Sequence, residues 1–310
     1  MEKSRTTTTE KRRARIRSAL QEKRCLRLLE AHSPIAALLA ESIVVTDSFG
    51  REISYDGFWS SSLTDSTERG KPDTEVLTIH DRLLNINEIF EATTLPLVAD
   101  GDTGGLAEHF AFHVRSMERL GISAVVIEDK RGLKRNSLLG MEVFQEQEDI
   151  ESFCRKIRIG KAAQITPDFM VIARIESLIL EAGMEDALKR ARAYVEAGAD
   201  GVMIHSRMTD PGEVMEFAQT FKAEHEEVPL VCVPTSYSQT SFEDLQAAGF
   251  NVVIYANHML RSSYQAMRSV AEGILRHGRS LEVEGSCLDV KELLSIISSG
   301  LGETTRSSSA

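Results

Sequence analysis

The sequence predicts an α/β protein built as a (β/α)8 barrel of the TIM type. Three observations point there. Short apolar runs of strand length recur along the chain, each run is followed by a stretch of helical periodicity, and the runs number about eight. At 310 residues and 42% hydrophobic composition the chain is long enough to bury one such core, because a barrel of this class takes roughly 250 residues. A doubly wound open sheet is the alternative, but no GxGxxG follows any strand.

In chain order, "CLRLLEAHS" and "YDGFWSSS" supply the first two strands and "LPLVADGD", from Leu95 to Asp102, supplies the third. Leu106, Phe110, Val114 and Met117 then recur at helical spacing until Gly121 ends the helix. "ISAVVIED" is the fourth strand, and Ile150, Phe153, Cys154 and Ile157 mark the helix beyond it. "FMVIARIES", "DGVMIHS" and "VPLVCVPTS" follow, each with its helix, and "NVVIYANH" closes the series. The final helix carries Leu260, Tyr264, Met267, Ala271 and Ile274 on one stripe. Residues 1–24 read as a basic extension with a solvated helix face, 25–300 as a single catalytic domain, and 301–310 as a disordered polar tail.

A net charge of -11 argues against general nucleic-acid binding, so an anionic ligand must be met locally. The four cysteines, Cys25, Cys154, Cys232 and Cys287, form no CxxC pair and suggest neither a disulfide framework nor a zinc site. No run reaches the ~18 apolar residues of a membrane span, and the N-terminus lacks the apolar core of a secretory signal. A reduced, cytoplasmic setting is expected.

In a barrel of this kind the C-terminal strand ends face the active site. This sequence places polar residues there repeatedly: Trp59 and Ser61, Asp100 and Asp102, Glu128, Arg174 and Glu176, His205, Thr235, Asn257. Asp100, Asp102 and Glu128 come from successive strands, so three carboxylates are expected to approach one another. Left uncompensated they would raise one another's pKa. A hard cation such as Mg²⁺ resolves that, although Asp102 and Thr103 are also the residue types that cap a helix. Arg174 interrupts the apolar strand "VIARIE" and needs Glu176 or a bound anion as partner. Between Glu128 and Ser137 runs a basic loop with Lys130, Arg131, Lys134 and Arg135, suited to covering an anionic ligand.

These residues resemble a known family. "EDKRGLKRNS" fits the EDK, five residues, NS signature of the phosphoenolpyruvate mutases, within the isocitrate lyase and phosphoenolpyruvate mutase superfamily. The likeness spans about Leu26 to Arg276 and takes in "YDGFWSSSL", "ADGDTGG", "PDFMVIARIES", "ADGVMIHS", "VPTSY" and "ANHMLR". It implies a Mg²⁺-dependent isomerase that interconverts phosphoenolpyruvate and phosphonopyruvate, the step forming the carbon to phosphorus bond of phosphonate and phosphonate-antibiotic biosynthesis. It also implies a downstream enzyme that consumes phosphonopyruvate.

Carried over by position, the resemblance makes Asp100 the direct metal ligand, with Asp102 and Glu128 holding metal-bound waters. Ser61, Ser62 and Leu63 match the backbone that binds the substrate carboxylate, with Ser62 in place of a family glycine, and Trp59 matches the wall beside the three-carbon unit. Arg174, His205 and Asn136 match the residues around the phosphoryl group. Lys134, Asn136, Ser137 and Leu138 belong to a mobile lid, and Asp73 matches an aspartate near the pocket. A homo-oligomer is implied as well, a dimer or a homotetramer built from dimers that exchange their final barrel helix. Three related activities are the alternatives, and the first two differ in the lid. A carbon-carbon lyase would carry KKCGH or KRCGH, which this chain lacks. Phosphonopyruvate hydrolase resembles the mutase with a threonine at the lid asparagine, which here is Asn136. A carboxyphosphoenolpyruvate mutase is the third.

Overall fold

The computed structural model describes residues 7–132 and 134–298. Within them two compact units are present, residues 7–257 and 258–298.

In the first unit eight parallel strands form a closed barrel: β1 (Leu26–Glu30), β2 (Gly57–Ser60), β3 (Leu97–Asp100), β4 (Ala124–Glu128), β5 (Met170–Ile175), β6 (Gly201–Ile204), β7 (Leu230–Cys232) and β8 (Val252–Tyr255). Each strand pairs with its sequence neighbours, and β8 returns to β1 with Leu26 opposite Val252. Parallel strands covered on both faces read as unbroken apolar runs, which is why "AVVIE" and "MVIARI" are buried at every position. Leu28, Val98, Val126, Ile172, Met203, Val231 and Ile254 fill the barrel interior. The eight strands expected from the sequence are all found.

Two small additions were not expected. A hairpin pairs Val44–Thr46 with Glu52–Ser54, and a second pairs Lys130–Arg131 with Glu146–Gln147. The second ties together the two ends of the basic loop, between which a 3-10 helix, Ser137–Glu142, is capped by the Asn136 side chain.

Helix α1 (Thr9–Glu22) departs from the expected solvated face. Ile16 joins the barrel-core cluster, with Ala19 and Leu20 packed against it. Arg12 and Arg13 are buried, and they donate to backbone carbonyls, Arg12 to Phe90 (3.0 Å) and Arg13 to Glu118 (2.7 Å). Those carbonyls lie in the last turns of α4 (Ile79–Ala92) and α5 (Ala107–Leu120), where helices leave acceptors unpaired and favour cations. The other helices of this unit are α2 (Pro34–Ser42), α3 (Ser62–Glu68), α6 (Ile150–Ala163), α7 (Gly183–Glu196), α8 (Gly212–Glu224) and α9 (Phe242–Ala247).

The second unit contains α10 (His258–His277) and α11 (Val290–Ser298). No residue of α10 is buried, and its predicted stripe leaves Tyr264, Met267 and Ile274 exposed. All four cysteines are free thiols. Among the described residues no helix is long and apolar enough to cross a membrane. The predicted tail at 301–310 lies outside the described residues.

Candidate active site

A small cavity of ≈ 60 Å³ opens at the C-terminal ends of the barrel strands. It is lined by Trp59 in β2, Ser61, Ser62 and Leu63 at the start of α3, Asp73, Asp100, the loop residues Lys134, Asn136, Ser137 and Leu138, and by Arg174, His205, Thr235 and Asn257. Its size suits a compact ligand. Asp102, Glu128 and Glu176 are not among the lining residues, nor are Lys130, Arg131 and Arg135 of the basic loop.

The carboxylates divide into two groups. Asp100 ends β3, and after Gly101 the chain turns so sharply that Asp102 adopts a left-handed φ of 54° and donates its backbone N–H to Asp100 Oδ1 at 3.0 Å. Gly101 is required there, because a Cβ would lie 2.6 Å from Val125. Asp102 does not cap the following helix, whose N-cap is Leu106. The Lys134 ammonium sits between the two aspartates, 2.6 Å from Asp102 Oδ1 and 3.2 Å from Asp100 Oδ2, with Asp73 at 3.6 Å and the Ser62 hydroxyl in hydrogen-bond contact. Burial opposes ionisation of Asp100, but Lys134 and Arg82 outweigh it and hold the carboxyl well below its ordinary value.

Glu128, at the end of β4, meets a different pair of cations. Lys130 stands 3.2 Å from one of its oxygens and Arg174 3.5 Å from the other, yet neither oxygen receives a hydrogen bond. Burial therefore prevails over both cations and pushes the carboxyl up to about 7. Among the described residues no three Asp, Glu, His or Cys side chains are arranged around one ion point. The carboxylates nevertheless suit a hard cation. They are oxygen donors, a cationic ammonium already rests between Asp100 and Asp102, and Glu128 has two buried oxygens without a donor.

Opposite the aspartates lies a cationic wall. Arg174 extends from β5 with Nε 2.5 Å from Glu176 Oε1 and Nη2 2.6 Å from Ser137 Oγ and 2.8 Å from His205 Nδ1. Burial disfavours the Glu176 anion, but Arg174 and Lys130 reverse that and keep it ionised. Lys130 also donates to Ser137 Oγ (2.8 Å) and to the carbonyl of Arg135 (2.8 Å). Asn136 donates to Asp73 Oδ2 at 3.0 Å, while its carbonyl oxygen accepts from the Leu138 amide at 3.0 Å. The loop is thus seated on the site by Lys134, Asn136 and Ser137.

Three further residues support the site, and two of them, Arg82 and Asp65, lacked any signal at a strand end. Arg82, on α4, donates to the Ser60 and Asp100 carbonyls and pairs with Asp65 (3.0 Å) and Asp102 (3.4 Å). Asp65 is fully buried beneath it. Asp129 receives the Glu176 amide, Tyr194 and Arg190, fixing the strand end that carries Glu128.

Residues 16–275 match the family model described as phosphoenolpyruvate phosphomutase. A phosphonopyruvate hydrolase from Variovorax sp. (strain Pal2) is 37% identical over 91% of this chain and 93% of its own. Among solved structures, a phosphoenolpyruvate phosphomutase from Streptomyces platensis subsp. rosaceus superposes with a TM-score of 0.83 at 39% identity, covering 92% and 94% of the two chains. A phosphonopyruvate hydrolase crystallised with oxalate and Mg²⁺ superposes with a TM-score of 0.81 at 35% identity, covering 94% and 95%.

Proposed function

The chain belongs to the phosphoenolpyruvate phosphomutase family, and we propose that within it this protein is a Mg²⁺-dependent mutase interconverting phosphoenolpyruvate and phosphonopyruvate. The observation that carries this reading is Asn136. Its amide spans Asp73 and the Leu138 N–H, so both ends of the side chain seat the loop over the cavity, where a threonine would offer a single hydroxyl.

In the forward direction the ester P–O bond of phosphoenolpyruvate breaks and a P–C bond forms at the former methylene carbon, with no net gain or loss of atoms. The transferring group passes through a loose, metaphosphate-like state, so positioning and charge stabilisation dominate. Arg174, Ser137, His205 and Asn136 surround the phosphoryl group, and the backbone of Ser61, Ser62 and Leu63 holds the carboxylate. Trp59 confines the enolate while it turns. Asp100 would hold Mg²⁺ directly, with Asp102 and Glu128 holding its waters, and the ion would supply charge neutralisation for the enolate oxygen. Support for a metal comes from the donor chemistry of these residues and from the Mg²⁺ complex of the related hydrolase. Lys134, Ser137 and Leu138 help the closed loop exclude water, which would otherwise divert the phosphoryl group to phosphate. The exposure of Tyr264, Met267 and Ile274 on α10 supports assembly as a homo-oligomer by exchange of that helix. The product feeds a phosphonopyruvate-consuming enzyme in the cytoplasm, where free thiols persist.

Phosphorus NMR of the purified protein with phosphonopyruvate and Mg²⁺ tests the reading. A phosphoenolpyruvate signal is expected, whereas inorganic phosphate as the product would make the protein a hydrolase.

A further inference from the structure

The Lys134 ammonium sits among three aspartates and a serine at the mouth of the barrel. It is buried, with a side-chain exposure of 4%, and it contacts Asp102 Oδ1 (2.6 Å), Asp100 Oδ2 (3.2 Å), Asp73 Oδ1 (3.6 Å) and the Ser62 hydroxyl. Ser62 in turn donates to the same Asp100 oxygen, at 2.8 Å from its hydroxyl and 3.3 Å from its amide. This is a coordination sphere for a positive charge, assembled from the two aspartates assigned above to the divalent cation.

We infer that Lys134 and the divalent cation are alternative occupants of the Asp100 and Asp102 carboxylate pair, so that metal binding must expel the lysine from the position it holds here.

The argument is steric: Mg²⁺ takes its oxygens at about 2.0–2.1 Å in a nearly octahedral shell. An ammonium in hydrogen-bond contact with both carboxylates occupies directions that the ion and its waters need. Of the two cations that reach these aspartates, Arg82 is fully buried and fastened to the Ser60 carbonyl and Asp65. Lys134 is carried by the loop between β4 and α6, and its displacement is the one that frees the pair.

The inference rests on the proposed cation site but not on whether the reaction is mutase or hydrolase. Its test reads the lysine directly. Metal-free protein is treated with an amine-acylating reagent and Lys134 labelling is followed by mass spectrometry, with exposed lysines as internal standards. With Mg²⁺ alone, in the absence of substrate, labelling of Lys134 is expected to rise about tenfold or more as it leaves a buried ion pair for solvent. In calorimetric titrations Lys134→Met is expected to bind Mg²⁺ about tenfold more tightly than the wild type, having no internal competitor. Lys134 labelling that is unchanged or slower at saturating Mg²⁺ overturns the competition whatever the variant shows, and it needs no variant to fold. Failure of both proteins to bind Mg²⁺ overturns the cation site itself, and the inference with it.

Discussion

His205 Nδ1 lies 2.8 Å from Arg174 Nη2, in a pocket that excludes solvent from both. A guanidinium can only donate, so the ring nitrogen facing it accepts and the neutral ring carries its proton on Nε2. Burial, and then the positive charge of Arg174, lower the His205 pKa below its ordinary 6.5. The arrangement keeps the ring neutral where the proposed reaction runs.

That relationship predicts a pH effect with a definite sign. Between pH 6.5 and the lower folded value, the unfolded chain takes up a proton at this histidine and the folded protein does not. The contribution of a neutral His205 is complete above 6.5 and is lost as pH falls through the folded value, with a slope of up to about 1.4 kcal/mol per pH unit. His205→Gln removes the titration, so the stability difference between wild type and variant should change in favour of the variant from pH 6.5 downward. Urea unfolding at a series of pH values measures it. Parallel curves would show that His205 titrates alike in both states.

Arg174 uses separate edges of its fork, Nε for Glu176 and Nη2 for Ser137 and His205. A lysine has one point charge and cannot occupy both. Arg174→Lys should therefore lower kcat/KM by about 10²–10³-fold, the range for removing one preorganised donor at a developing charge, with the loss mainly in kcat. Equal kcat/KM in variant and wild type would reduce Arg174 to an ion-pair partner of Glu176.

Arg82 makes a different prediction, because it touches the aspartates and lies behind the cavity. Arg82→Met leaves Asp65 buried without its cation and should destabilise the protein by about 3–5 kcal/mol. Adding Asp65→Leu should recover much of that loss. Magnesium affinity, followed by calorimetry, should remain weakened in the double variant, since Asp102 and the Asp100 carbonyl have still lost their support. Wild-type Mg²⁺ affinity there would confine Arg82 to a structural role.

The barrel was legible because both-faces-buried strands write themselves as apolar runs, and the strand ends because Asp100, Glu128, Arg174 and His205 each break such a run. Arg82 and Asp65 sit on helices, where an arginine and an aspartate look like any solvated face, and only the fold brings them beneath Asp100. The burial of Arg12 and Arg13 was hidden for the same reason. Their partners are backbone carbonyls more than 70 residues away in sequence, which leave no mark in composition. Lys130 and Lys134 read as loop charges suited to covering an anionic ligand. The buried carboxylates they meet come from other elements, and the loop's seat on the site is a tertiary property.

Asn136 supplies the last prediction. With Nδ2 on Asp73 and Oδ1 on the Leu138 amide, each 3.0 Å away, the side chain both caps the 3-10 helix that follows and pins it over the cavity. Threonine is shorter and branched at Cβ, and its one hydroxyl can satisfy the cap or reach toward Asp73, not both. In Asn136→Thr the loop should seat less tightly, and small misplacements of reacting groups are costly. Conversion of phosphonopyruvate to phosphoenolpyruvate should fall by about 10²-fold, while release of pyruvate and inorganic phosphate rises because water reaches the phosphoryl group. Asn136→Ala should lose mutase activity at least as far. Phosphorus NMR time courses separate the two products in one sample, and undiminished phosphoenolpyruvate formation by Asn136→Thr, with no added phosphate, would mean that the asparagine does not guard the reaction.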